Sequence, residues 1–204
     1  MIESFNTIKK EARAHFKDRN SRFIGLVFPV SSEEEIKEIQ QNLRKEFYDA
    51  RHHCYAYILG ADKENFRAND DGEPSGSAGK PIYNQLLSAE LTNVLAVVVR
   101  YFGGTKLGVP GLINAYKTAT KMAIDEAGIK KEFIAAKVKL TFPYENINTA
   151  MQATSKDFVR ILKQEFEMTC EMEVHVKVAE LSVWMKNLER TGVELDIIEE
   201  AVIY

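Results

Sequence analysis

Apolar and polar positions along this chain change period several times, and each change marks an element. Residues Ile8–Phe16 and Arg22–Val30 are strand-like and flank Asp18-Arg19-Asn20-Ser21, whose turn chemistry predicts a β-hairpin. From Ser32 the period lengthens. Ser32 and Glu35 have capping-box spacing, and Ile36, Ile39, Leu43 and Phe47 fall on one helical stripe. Cys54–Leu59 has the pattern of another strand. Asp62–Lys80 is polar and aperiodic, so a long irregular loop is expected, of the kind that is usually functional or disordered. Pro81 suits a first helical position and predicts a short helix over Pro81–Glu90. Val94–Phe102 is apolar on both faces and β-branched, the pattern of a central strand. After the glycine-rich turn Gly103–Gly111, Leu112, Ala115, Tyr116, Ala119, Met122 and Ala123 spell a helix that Gly128 closes.

The remainder has its own rhythm. Val138, Leu140 and Phe142 alternate with Lys137, Lys139 and Thr141, as on a half-buried strand. Glu145–Ser155 is helical in pattern, and Phe158–Phe166 and Cys170–Val178 are strand candidates. Leu181, Trp184 and Leu188 form a helix stripe ending at Gly192, and Leu195–Ile203 completes the order β-α-β-β-α-β of a ferredoxin-like domain. Lys-Lys-Glu interrupts the apolar patterns near Lys130–Ala135, so the expected domains are residues 1–132 and 133–204.

Composition narrows the class. In 204 residues, 45% are hydrophobic and 28% charged, which excludes disorder and collagen-like repeats. The longest apolar run, Val94–Val99, is far short of the ~20 residues of a membrane helix. The start lacks a basic segment followed by an apolar one, so no secretory signal is expected. Cys54 and Cys170 have no metal or redox spacing and are expected as reduced thiols of a cytoplasmic protein. The balance of 27 basic and 30 acidic residues, net −3, excludes a protein that coats nucleic acid indiscriminately. Residues 135–204 hold 8 basic and 12 acidic residues, leaving 19 and 18 for residues 1–134. A polyanion site would therefore be local and would lie in the first domain.

Three segments carry candidate chemistry. The first is Asp70-Asp71-Gly72-Glu73-Pro74-Ser75-Gly76-Ser77-Ala78-Gly79-Lys80-Pro81, with carboxylates, hydroxyls and glycines ahead of a helix. Its backbone N–H groups suit an anion and its carboxylates a hard cation, although the spacing fits neither an EF-hand nor a P-loop. The bland alternative is a surface Ω-loop with a helix cap. The second is Arg100-Tyr101-Phe102-Gly103-Gly104-Thr105-Lys106, leading to a helix start, where free N–H donors favour phosphate or carboxylate. Its bland alternative is a tight turn. The third is Arg51-His52-His53-Cys54-Tyr55. Adjacent side chains on a strand point to opposite faces, so His52 and His53 cannot both ligate one metal without a bend, while His53 alone suits acid–base work near neutral pH. One buried, hydrogen-bonded histidine beside a solvent-facing one is the alternative. If the strands carrying the second and third segments are antiparallel, Arg51–His53, Asp70–Ser77 and Arg100–Lys106 are expected to form one shared concave surface of the first domain.

Asp70–Pro81 and Arg100–Tyr116, read with Ala50-Arg51-His52-His53-Cys54-Tyr55-Ala56-Tyr57, resemble the YigZ/IMPACT family in order and spacing. Ser77 stands where many relatives carry threonine, which keeps the hydroxyl. The resemblance implies an α+β fold in two parts. The first is like the second domain of a small-subunit ribosomal protein and the fourth domain of elongation factor G. The second is like that factor's ferredoxin-like fifth domain. Eukaryotic relatives act in translational control, through partners of the kinase that senses amino-acid shortage. No established reaction comes with the family.

The leading expectation is therefore a cytoplasmic binding and regulatory protein rather than an enzyme, meeting RNA, the ribosome or a translation-related protein. The expected binding residues are Arg51, His53, Asp70, Asp71, Glu73, Ser75, Ser77, Lys80, Arg100, Tyr101, Gly103, Gly104 and Lys106. No cofactor, metal or membrane is expected. The alternative is a small-molecule enzyme or ligand-binding protein with a glycine-rich anion site beside carboxylates. A third reading makes the acidic second domain a docking surface for another protein.

Overall fold

The computed structural model describes residues 2–204 and divides into two compact units. One is Phe5–Lys131, and the other joins Glu132–Tyr204 to the N-terminal residues up to Ser4. The chain begins with strand β1 (Ser4–Ile8) and the hairpin β2 (Ala12–Asp18) and β3 (Ser21–Pro29). Arg19 and Asn20 form the two-residue turn, both with positive φ, 43° and 66°. That conformation matches the right-handed twist of the flanking strands. Helix α1 (Glu33–Glu46), β4 (His52–Leu59), β5 (Asn65–Asn69), α2 (Gly79–Ser88), β6 (Val94–Tyr101) and α3 (Gly108–Ala127) complete the unit. The antiparallel sheet order is β2-β3-β6-β4-β5.

Central β6 lacks polar alternation because helices cover both faces of the sheet. Leu95, Val97 and Val99 join Ile24, Leu26 and Tyr57 under α1, through Ile36 and Leu43. Val94, Ala96 and Val98 join Phe23, Cys54 and Ala56 under α2 and α3, through Ile82, Leu86, Ala115 and Tyr116. Gly25 of β3 lets α3 approach closely: a Cβ there would collide with the Ala119 carbonyl.

Four local expectations change. The polar stretch Asp62–Lys80 contains a strand, β5, which pairs with β4 at the sheet edge. Its side chains are almost all exposed, which hides the apolar alternation of a strand, and Phe66 stacks on Tyr83 of α2 at 4.9 Å. Ile8 ends the separate strand β1 instead of opening the hairpin. Helix α3 starts at Gly108, so Gly111 is helical. Finally, Glu35 receives the Ser31 N–H (2.7 Å) and hydroxyl (3.1 Å), while Ser32 Oγ accepts the Glu35 N–H as an N-cap should.

The other unit follows as β7 (Ile129–Pro143), a short 3₁₀ turn, α4 (Ile147–Thr154), β8 (Val159–Glu165), β9 (Thr169–Lys177), α5 (Val178–Leu188) and β10 (Glu194–Ile203). Pairing in the order β10-β7-β9-β8 is that of a ferredoxin-like sheet. Lys130–Ala135, the expected boundary region, lies inside β7. Val138, Leu140, Phe142, Met172, Val174 and Trp184 form the core, and Trp184 Nε1 donates to the Ala153 carbonyl at 2.9 Å. The opposite sheet face carries the ion pairs Lys137–Glu173 and Lys139–Glu171. The whole is a two-unit α+β fold. Among the described residues, Cys54 and Cys170 are buried free thiols, and no helix is long and apolar enough to cross a membrane.

Candidate functional site

Antiparallel pairing of β4 with β6 sets His52 directly opposite Arg100. The loop from Asp70 to Ala78 then folds over this end of the sheet, so parts of all three segments meet. Asp70 builds the loop. Its carboxylate accepts from the N–H groups of Gly76 (2.8 Å), Ala78 (3.0 Å) and Gly79 (2.8 Å), supplying the helix cap that Ala78 cannot. Ser77 closes the turn by donating its hydroxyl to the Pro74 carbonyl at 2.6 Å.

Asp71, at φ +42°, ties the loop to β4 and α1. Its carboxylate accepts from His53 N–H at 2.6 Å and pairs with Arg44 at 2.9 Å. Its carbonyl lies 2.8 Å from His52 Nδ1, and because a carbonyl only accepts, that nitrogen carries the proton. Burial acts to raise the Asp71 carboxyl, but the His53 N–H and Arg44 outweigh it and hold it below the usual range. His53 points to the other face. It is buried, both ring nitrogens lack a hydrogen-bond partner among the described residues, and Nδ1 stays 4.0 Å from Asp71 Oδ2. Burial and the nearby Arg44 cation lower its pKa, with Asp71 opposing.

Glu73 enters the interior. Its Oε1 accepts from Arg100 Nη1 at 2.6 Å and from the Tyr116 hydroxyl at 2.8 Å. Arg100 also lies over the rings of Phe23 and Phe102, each 5.5 Å from the guanidinium carbon. The Cys54 thiol donates its single proton to the Asp70 carbonyl at 2.9 Å and abuts Tyr116 Oη at 3.3 Å. Burial pushes both the thiol and the phenol far up, so neither is an activated nucleophile. All three acids are engaged by donors of this chain, and no cluster of three metal-ligating side chains occurs among the described residues.

The other expected residues surround this network without joining it. Tyr101 donates to Asp49 at 2.7 Å, and Arg22 lies 4.7 Å over its ring. Gly103 donates to Ser21 Oγ at 3.1 Å and sits where a Cβ would strike the Asn20 backbone. Gly104, at φ +86°, has open space beside it. Arg51, Ser75, Lys80 and Lys106 are exposed, and among the described residues no ion pair or side-chain hydrogen bond holds them. Sequence reasoning missed Arg44 and Tyr116 as members of the network. Tyr116 had a signal, because a phenol on a buried helix stripe requires a polar partner. Arg44, one of two cations late in α1, had none.

The family model for the Impact N-terminal domain matches residues 19–124, which include the whole of this network. IMPACT family member YvyE of Bacillus subtilis is 32% identical over 207 residues, spanning 100% of this chain and 94% of that protein. IMPACT family member YigZ of Escherichia coli is 32% identical over 187 residues, 89% of this chain and 92% of the relative. Protein IMPACT of Mus musculus is 36% identical over 96 residues, and the match covers only 30% of its length. A crystal structure described as a hypothetical protein superposes with a TM-score of 0.69 over 98% of this chain and 100% of its own, at 28% identity. On the family-model match over residues 19–124 and the similarity along its whole length, the chain belongs to the IMPACT family.

Proposed function

We propose that the protein is a cytoplasmic, non-enzymatic binding protein acting in translation or its regulation, and that the β4–β6 end of the first unit's sheet contacts ribosomal RNA. The observation that carries this reading is the division of charge. Asp71 and Glu73 are neutralised by Arg44 and Arg100, whereas Arg51, Lys80 and Lys106 are exposed and, among the described residues, unpaired. The exposed ring of Phe102 and the Arg22–Tyr101 stack lie at the same sheet end, and cations among aromatic faces suit RNA phosphates and unstacked bases. The high pKa of Cys54 and Tyr116 supports binding over nucleophilic catalysis. With a net charge of −3, the contact is local and specific, as on a ribosome, rather than a general affinity for RNA.

Co-sedimentation with ribosomes over a range of salt concentrations tests the reading. Association should weaken with salt and with Arg51→Ala or Lys106→Ala. Absence of any salt-sensitive association overturns it, and a large thermal shift with a nucleotide or phosphorylated metabolite would favour a ligand-binding enzyme instead.

A further inference from the structure

We propose that the ferredoxin-like unit docks a basic amphipathic helix of a partner protein in an apolar groove between α5 and β10. The two helices of this unit do not cover its sheet evenly: α4 packs mainly on β8 and α5 mainly on β9. The helix-side face at β10 is left open as a groove of about 710 Å³. Ile2, Ile134, Leu181, Met185 and Ile197 line it, and Ile2 and Ile197 are more than 40% exposed. An exposed, contiguous apolar lining rimmed by polar residues marks an interaction site.

Charge selects the occupant. The polar residues on the groove are Glu3, Glu200 and Ser182; no basic residue lines it, and neither acid has a cation partner among the described residues. The surrounding segment 135–204 holds 12 acidic against 8 basic residues. A second copy would bring the same acids against these, whereas a helix with a basic flank satisfies them. A helix also suits the shape, because the groove runs beside α5, where a further helix would complete the layer over β10. Addition of a strand fits less well. The β10 register with β7 breaks twice, between Ile197 and Glu199 and between Glu199 and Val202, and such irregularity blunts an edge. Apolar anchors at i, i+3, i+4 and i+7 with lysine or arginine beside them are the expected recognition pattern.

The test uses the full chain and a dye-labelled peptide of about 16 residues, ~24 Å long as a helix, with leucines on one face and lysines on its flanks. One control peptide has the same composition scrambled to remove the apolar face, and another carries glutamate for lysine. Fluorescence anisotropy should show saturable binding of the first peptide, with both controls at least about tenfold weaker. Ile197→Glu should weaken binding by about tenfold, and Glu200→Lys should weaken it less but flatten its salt dependence. Both positions are exposed, so melting temperatures should stay close to that of the parent. Val183→Glu, exposed on α5 outside the groove, should bind as the parent does. Equal binding of the scrambled peptide, or equal loss with Val183→Glu and Ile197→Glu, overturns the proposal. So does self-association of the chain that Ile197→Glu abolishes without peptide binding. None of these outcomes depends on whether the other unit meets the ribosome.

Discussion

The ion pair Arg100–Glu73 in the first unit and the pair Lys137–Glu173 in the ferredoxin-like unit share one separation, 2.6 Å. Their surroundings differ. The first pair's side chains are 7% and 4% exposed, between sheet and helices, while the second pair's are 28% and 32% exposed on a solvated sheet face. Distance alone therefore says little about what a pair contributes. In the interior, each charge depends on its partner because no water replaces it. On the open face, water screens both partners.

The largest effect follows from separating the buried pair. Arg100→Met should destabilise the protein by about 3–5 kcal/mol, since Glu73 keeps only the Tyr116 hydroxyl. Adding Glu73→Gln should restore part of the loss. Urea denaturation of the single and double variants reads both, and a loss below ~1 kcal/mol for Arg100→Met would mean the pair behaves as a surface one. Asp70→Ala comes next. Three backbone N–H groups lose their acceptor, and a cost of about 2 kcal/mol is expected, with amide exchange accelerating first at Gly76–Gly79. Unchanged exchange there would show that the loop does not depend on its aspartate.

A smaller effect compares one histidine from each unit. His53 and His175 both have lowered pKa values, mainly from burial, with Arg44 adding to the first, and Arg160 and Lys137 to the second. The unfolded chain thus takes up these protons before the folded one. Their contribution to stability is complete above about pH 6.5 and is lost as pH falls below it toward the folded values. Denaturation between pH 7.5 and 5.5 should show this decline, and His53→Phe should flatten it more than His175→Phe, since His53 is the more buried. An unchanged slope in both variants would contradict the assignment. Smallest of all, Lys137→Ala should cost no more than ~0.5 kcal/mol, as exposed pairs usually do. A loss above ~2 kcal/mol would erase the contrast with Arg100.

Much of this fold was legible along the chain because apolar periodicity is a local property. The two-residue turn at Arg19-Asn20, the Ser32 cap, the double-sided apolar run of β6 and the βαββαβ order all follow from neighbouring residues. Strand β5 did not, because an exposed edge strand need not alternate. The candidate site was legible as three unusual strings whose parts meet at one sheet end. Their internal wiring was not, since Arg44, 27 residues before Asp71, carries no mark of a partner, and Tyr116, 43 residues after Glu73, signals only that it needs a polar partner and not which one.

The sequence by itself determined most of the helices, strands and turns, the exposed edge strand β5 excepted, and that carboxylates, histidines and cations gather in three segments. Only the tertiary structure decided that Asp70 and Ser77 build the loop, that Glu73 and Arg100 neutralise each other in the interior, and that Arg51, Lys80 and Lys106 stay exposed. The reason is physical. Periodicity follows from the geometry of a few adjacent residues, whereas burial, and with it the strength and protonation of every charge, depends on which distant segments exclude water from it.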